Sequence, residues 1–126
     1  MEAVYLDTHV VVWLFQGDLT RFSERALQLM ERLDLLVSAM VMMELAYLYE
    51  IGRVTYRPIE ILSELEKTID LSVCREQFVH VVYRGLDLTW TRDPFDRLIV
   101  ANAAYSGAML ITKDQNILDH YERAVW

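Results

Sequence analysis

The chain is short of several things, and each shortage excludes something. It has one cysteine, Cys74, in 126 residues, so no internal disulfide framework can exist and a reducing compartment is the simplest reading. It has two prolines, four glycines, no repeat and no biased tract. No linker is visible, and one domain over residues 1–126 is expected. No apolar run approaches the roughly 18 residues of a membrane span. The start, Met1 to Asp7, has no basic segment ahead of its apolar run, so a signal peptide is not expected. The expectation is a soluble, cytoplasmic protein with no membrane partner. Also missing are a nucleophile elbow, a phosphate-binding glycine loop, a CxxC pair and an HExxH helix. Positive charge is scarce as well, with 12 Lys and Arg against 19 Asp and Glu and a net charge of −7. Taken alone, that opposes nucleic-acid binding, which draws on Lys and Arg. The objection weakens if part of the negative charge is a cation site, because bound cations invert the local field.

What is present is a core-forming chain, 54% hydrophobic and 25% charged. Short apolar runs at Ala3–Leu6, Leu35–Val37, Ile69–Val73 and Met109–Thr112 read as buried strands, with Ala124–Trp126 as an edge strand. Between them lie helical stretches. These are Val10–Phe15, Glu24–Leu33 behind the cap Ser23, Met40–Ile51, Pro58 to about Lys67, Gln77–Tyr83, a long helix opened by Asp93 and Pro94, and Asn116–Tyr121. The glycines Gly17, Gly52, Gly85 and Gly107 fall where helices would stop. Continuous apolar strands alternating with helices indicate an α/β fold, a parallel sheet covered on both faces in three layers. In such sheets sites lie beyond the carboxyl ends of the strands.

Four carboxylates answer to that rule. Asp7 follows the first strand, and Asp114 follows Met109–Thr112. Either position suits a ligand or a helix cap. Glu44 is the only charge between Leu35 and Tyr49, with Met40, Val41, Tyr47 and Leu48 around it on a helix. A carboxylate on an apolar face is costly unless paired, protonated or metal-bound. Asp96 lies in Asp93-Pro94-Phe95-Asp96-Arg97, where Asp93 serves as N-cap and both acids suit the helix dipole without any function. Were Asp7, Glu44, Asp96 and Asp114 to meet, their repulsion would protonate some of them unless cations joined them. All-oxygen donors suit Mg²⁺ or Mn²⁺. Such a site hydrolyses phosphodiesters without a nucleophilic side chain. Thr8 and Thr112 flank two of the acids and can orient them, or simply fill strand ends.

Leu6-Asp7-Thr8, Met43-Glu44-Leu45, Asp93 to Ala101 and Ile111-Thr112-Lys113-Asp114 together resemble the ordered motifs of PIN domains. The likeness is nearest to VapC-type ribonuclease toxins of toxin–antitoxin pairs, and it spans Val4 to Trp126. The resemblance implies a sheet of about five parallel strands whose order reverses near the first. It implies a Mg²⁺- or Mn²⁺-dependent endoribonuclease with Asp7, Glu44, Asp96 and Asp114 as metal-binding acids and Asp93 as cap or support. It also implies an RNA substrate, a homodimer and a small antitoxin partner. Two positions depart from the pattern. Thr91-Arg92 stands where many relatives have His-Arg, and Asn116 where many have a further Asp.

Arg92, Arg97 and Lys113 neighbour the acids and are candidates for RNA phosphate, with Arg97 as readily pairing with Asp93. Trp13 and Trp90 can stack on bases, although packing accounts for both more simply. His9 can carry a proton or be structural. Two alternatives stand beside the nuclease. A phospho-acceptor receiver domain would need paired acids after the first strand and an Asp near Val73-Cys74, and has neither. A non-catalytic or housekeeping PIN-like binding module would be expected to have lost some of the four acids, which are all present.

Overall fold

A computed structural model describes residues 2–126. A five-stranded sheet of order β3-β2-β1-β4-β5 is flanked by seven α-helices among the described residues. The strands are β1 (Ala3–Leu6), β2 (Asp34–Val37), β3 (Ser72–Val73), β4 (Met109–Ile111) and β5 (Ala124–Val125). Every pairing is parallel. The chain builds β1, β2 and β3 outward to one side, then returns to lay β4 against β1 and β5 beyond it. The order therefore reverses at β1, with Leu6 opposite Ile111 across the switch. The expected α/β fold with a parallel sheet is what the chain adopts.

The helices are α1 (Thr8–Gln16), α2 (Glu24–Arg32), α3 (Ala39–Glu50), α4 (Pro58–Ile69), α5 (Phe78–Gly85), α6 (Pro94–Tyr105) and α7 (Gln115–His120), with a 3-10 turn at Leu19–Arg21. Their starts are written in capping chemistry. Ser23 Oγ accepts from the Ala26 amide, Ser38 Oγ from the Met40 amide, and Asp93 Oδ1 from the Phe95 and Asp96 amides. The central strands are apolar and closed to water. Val4, Leu6, Val37, Leu110 and Ile111 are fully buried, with Val11, Val41, Leu45, Ile99 and Ile117 packed from the helices. Truncating such a residue, Leu110→Ala for instance, costs about 2–5 kcal/mol.

One expectation needs correction. The third strand was placed at Ile69–Val73, but only Ser72 and Val73 pair with β2. Ile69 instead closes α4, and Asp70 ends the helix at φ +59° with its amide bonded back to the Glu66 carbonyl. An apolar run cannot distinguish the last turn of a helix from a strand, and here the helix reached two residues past Lys67. The glycines do fall where helices stop: Gly17, Gly52 and Gly107 lie past helix ends at positive φ, and Gly85 is the last residue of α5. Gly85 sits buried inside the last turn of α5, where an added Cβ would come within 3.3 Å of the Ala101 Cβ. Its role is close approach of α5 to α6. The helix expected over Gln77–Tyr83 accordingly runs on to Gly85, with Gln77 as its cap.

Candidate active site

Three helix starts converge at the carboxyl end of the sheet. Asp7 follows β1 directly and caps α1, Asp93 caps α6, and Asp114 follows β4 and caps α7 through a bond from the Ile117 amide at 3.0 Å. The positive ends of these helices offset part of the acids' mutual repulsion. Glu44 arrives from α3, at the border between its buried face (Val41, Leu45, Leu48) and its exposed one (Met43, Tyr47). These residues line one cleft of about 370 Å³ together with Asp96, His9, Trp13 and Lys113. A larger cleft of about 460 Å³, walled by Val12, Phe15, Arg53 and Tyr56, holds no such cluster of acids and offers no comparable chemistry.

Within the cleft the chain has brought together Asp7, Glu44 and Asp96. One carboxylate oxygen of each lies within 4.8 Å of the others. The hydroxyls of Thr8 and Thr112, residues for which strand-end packing was an equal reading, both point at these acids. Thr112 Oγ1 donates to Asp7 Oδ2 at 2.6 Å, and Thr8 Oγ1 donates to Glu44 Oε1 at 2.5 Å. Asp7 Oδ1 accepts from the Thr8 amide at 2.8 Å, so both oxygens of this 7%-exposed carboxylate are held in place. Thr112 Oγ1 in turn accepts from the Asp114 amide at 3.0 Å, which ties the fourth acid to the same scaffold.

The electrostatics follow from this crowding. The Asp96 carboxyl is pushed up to about 7, first by burial and then by Asp7, Asp93, Asp114 and Glu44 around it. Burial also raises Asp7, against the Thr112 hydroxyl, the Thr8 amide and the nearby His9. Glu44 is raised by burial, against its bond from Thr8. Three carboxylates, two of them fixed by hydrogen bonds from Thr8 and Thr112, bring one oxygen each within 4.8 Å of the others. That donor set, all hard oxygen and all destabilised as anions, fits a divalent cation of the Mg²⁺ or Mn²⁺ kind.

Arg97, a candidate for RNA phosphate or for pairing with Asp93, makes no ion pair with Asp93 among the described residues. Its Nε donates to the Gly85 carbonyl at 2.8 Å and its Nη2 to the Leu86 carbonyl at 3.0 Å, clamping the end of α5 onto α6. The carbonyls that end a helix need donors, and the close α5–α6 approach at Gly85 delivers the guanidinium to them. Arg92 is exposed and outside the cleft lining. Asn116 is exposed on the first turn of α7, also outside the lining, and only its main-chain carbonyl is engaged, by His120 Nδ1. Trp90 is covered by the His120 ring at 4.9 Å and 4°. Lys113 does reach the cleft, its Nζ 5.6 Å above the Trp126 ring. Trp13 packs against the core, the simpler reading, and also lines the cleft. The signal for the latter was present in the sequence, because His9 and Trp13 are four residues apart and so share a face of α1.

This chain belongs to the PIN-domain family, whose model matches residues 4–123. It is 35% identical over 123 residues to Ribonuclease VapC22 of Mycobacterium tuberculosis, covering 95% of this chain and 93% of that one. In architecture it is similar to VapBC2 from Rickettsia felis bound to a DNA fragment from their promoter, with a TM-score of 0.66, 14% identity, and 98% of this chain and 96% of that one covered. It is likewise similar to DNA-bound VapBC from Salmonella typhimurium, with a TM-score of 0.62, 20% identity and the same coverage. At these identities the solved structures speak to fold alone.

Proposed function

We propose that residues 1–126 form one metal-dependent endoribonuclease domain, the toxin of a toxin–antitoxin pair, acting in the cytoplasm. The observation that carries this reading is the meeting of Asp7, Glu44 and Asp96 oxygens within 4.8 Å at the sheet's switch point. The 35% identity to a ribonuclease supports RNA as the substrate. The VapBC likenesses support a small antitoxin protein as partner. A homodimer is the expected assembly by family resemblance. No described helix is long and apolar enough to cross a membrane, which is compatible with the cytoplasmic reading.

In this reading Asp7, Glu44 and Asp96 hold Mg²⁺ or Mn²⁺, and Asp114 adds negative charge at the rim. When bound, the cation supplies Lewis-acid stabilisation of the phosphoryl group and makes water acidic enough to attack at neutral pH. The chain's own groups do the remaining work. Thr112 and the Thr8 amide fix Asp7, and Thr8 also fixes Glu44, so the acids meet the cation without reorganisation. Asp93 holds the first turn of α6 and with it the position of Asp96. Without a cation the Asp96 carboxyl is pushed up to about 7, and a bound cation would hold it as the anion.

Cleavage of a structured RNA by the purified protein, free of antitoxin, tests the reading in Mg²⁺ and in Mn²⁺. The expected result is cleavage that EDTA stops and that Asp7→Asn lowers by about 100-fold or more, equivalent to a few kcal/mol of transition-state stabilisation. A folded protein that cuts no RNA in either metal would overturn it.

A further inference from the structure

The cleft has two unlike walls. One is the acids, which account for a cation and a phosphoryl group. The other is His9, Trp13 and Lys113, none of which a cation site needs. We propose that this second wall is a nucleotide subsite, where an unpaired RNA base beside the scissile phosphate rests against Trp13 and His9 while Lys113 meets the adjoining phosphate. The inference rests on the nuclease reading and specifies which RNA that site takes.

Four observations carry it. Trp13 is held before any ligand arrives, edge-on to Phe22 at 6.2 Å and to Trp126 at 5.9 Å, with the Arg21 guanidinium over one face of its ring, 5.4 Å from the centroid, so that a base would meet the rest of the ring that lines the cleft. A ring already locked loses little freedom when a base docks. His9, one turn earlier on α1, is exposed, and its ring lies 6.3 Å from that of Trp13 at 47°, so the two form one continuous surface. Lys113 has no carboxylate within ion-pair distance among the described residues, although it lines a cleft of acids. It is therefore a cation available to phosphate in a chain of net charge −7. Trp90, the other tryptophan near the acids in sequence, does not line the cleft, which leaves His9 and Trp13 as its aromatic surface. Because a duplex keeps its base faces stacked inside, an aromatic wall of this kind selects unpaired nucleotides.

The test is binding, kept apart from cleavage by the Asp96→Asn background in Mg²⁺. The probes are a fluorescent RNA octamer of adenosines and the same octamer without bases. Trp13→Leu is expected to weaken the adenosine octamer by about fivefold or more, and to leave the abasic one unchanged. Lys113→Ala should weaken both alike and flatten the salt dependence. If Trp13→Leu loses its native far-ultraviolet dichroism or its cooperative thermal unfolding, His9→Ala, at an exposed position, carries the same base-dependent expectation. Unchanged binding of the adenosine octamer by the folded variants, equal loss for both octamers in Trp13→Leu, or no binding by the Asp96→Asn protein would overturn the subsite. Failure of the nuclease reading is separate, since it appears as absent metal-dependent cleavage in the unmodified protein.

Discussion

Two polar clusters lie close together along the chain, one anchored by Tyr5 in β1 and the other by Asp7 just after it, and they solve burial in opposite ways. The Tyr5 hydroxyl accepts from Asn102 Nδ2 at 3.4 Å and Ser106 Oγ at 3.3 Å, and the same Asn102 nitrogen approaches Cys74 Sγ at 3.3 Å. Donors and acceptors match, and all groups are neutral. Burial pushes the Tyr5 phenol up to about 12, which costs nothing at neutral pH because the group is already protonated. At Asp7 the same burial acts on carboxylates gathered around one point, and Asp96 rises to about 7, where the cost is felt. One cluster is complete with the chain's own atoms. The other is complete only when a proton or a cation joins it. A buried cluster of a single charge sign with its oxygens fixed by neighbours is thus a stronger pointer to chemistry than burial or hydrogen bonding alone.

This contrast can be broken or sharpened by experiment. The largest effect is expected at Asp96. Asp96→Asn should lower RNA cleavage by about 100-fold or more while raising the melting temperature of the metal-free protein above pH 7, since it removes repulsion rather than a needed contact. Parallel cleavage and thermal-unfolding assays check both signs. Next comes Thr112→Val, which strips the hydroxyl from Asp7. Cation affinity measured by titration should fall by about 10- to 100-fold with the fold retained.

A smaller, pH-dependent effect follows in metal-free protein. Asp96 is an acid whose folded value, about 7, lies above its ordinary 3.8, so the folded chain holds this proton more tightly than the unfolded one does. Stability is therefore unaffected below about pH 3.8, falls as pH rises from there to about 7, and stays reduced above that. Asp7 and Glu44, also raised, act in the same direction. Melting temperatures from pH 5 to pH 8 should decline in EDTA and recover with Mg²⁺ or Mn²⁺. The smallest effect belongs to the other cluster. Asn102→Ala should cost about 1–3 kcal/mol in denaturant unfolding and leave the response to cation unchanged.

Much of this was legible in the sequence for physical reasons. Buried parallel strands are continuous apolar runs, so β1, β2 and β4 stood out, and the rule that sites lie at carboxyl ends pointed to Asp7 and Asp114. Glu44 was conspicuous because nothing polar surrounds it along its helix. Side-chain direction was harder to read. Arg97 sits beside two acids in sequence yet is drawn to the carbonyls ending α5, because a helix terminus from a distant segment happens to lie within its reach. Thr8 and Thr112 had equal claims as packing residues until the strands placed their hydroxyls against Glu44 and Asp7. Gly85 reads as a helix stop and is one, but its close approach to Ala101, sixteen positions on, is set by tertiary packing.

The most direct test of the central claim is calorimetric titration of Mg²⁺ into the protein near pH 6.5, in two buffers of different ionisation enthalpy. If Asp7, Glu44 and Asp96 form a cation site that is partly protonated when empty, binding will release protons, the apparent enthalpy will differ between buffers, and Asp96→Asn will abolish that difference and weaken binding. Absence of binding, or binding that is equally tight in Asp96→Asn and identical in both buffers, would contradict it.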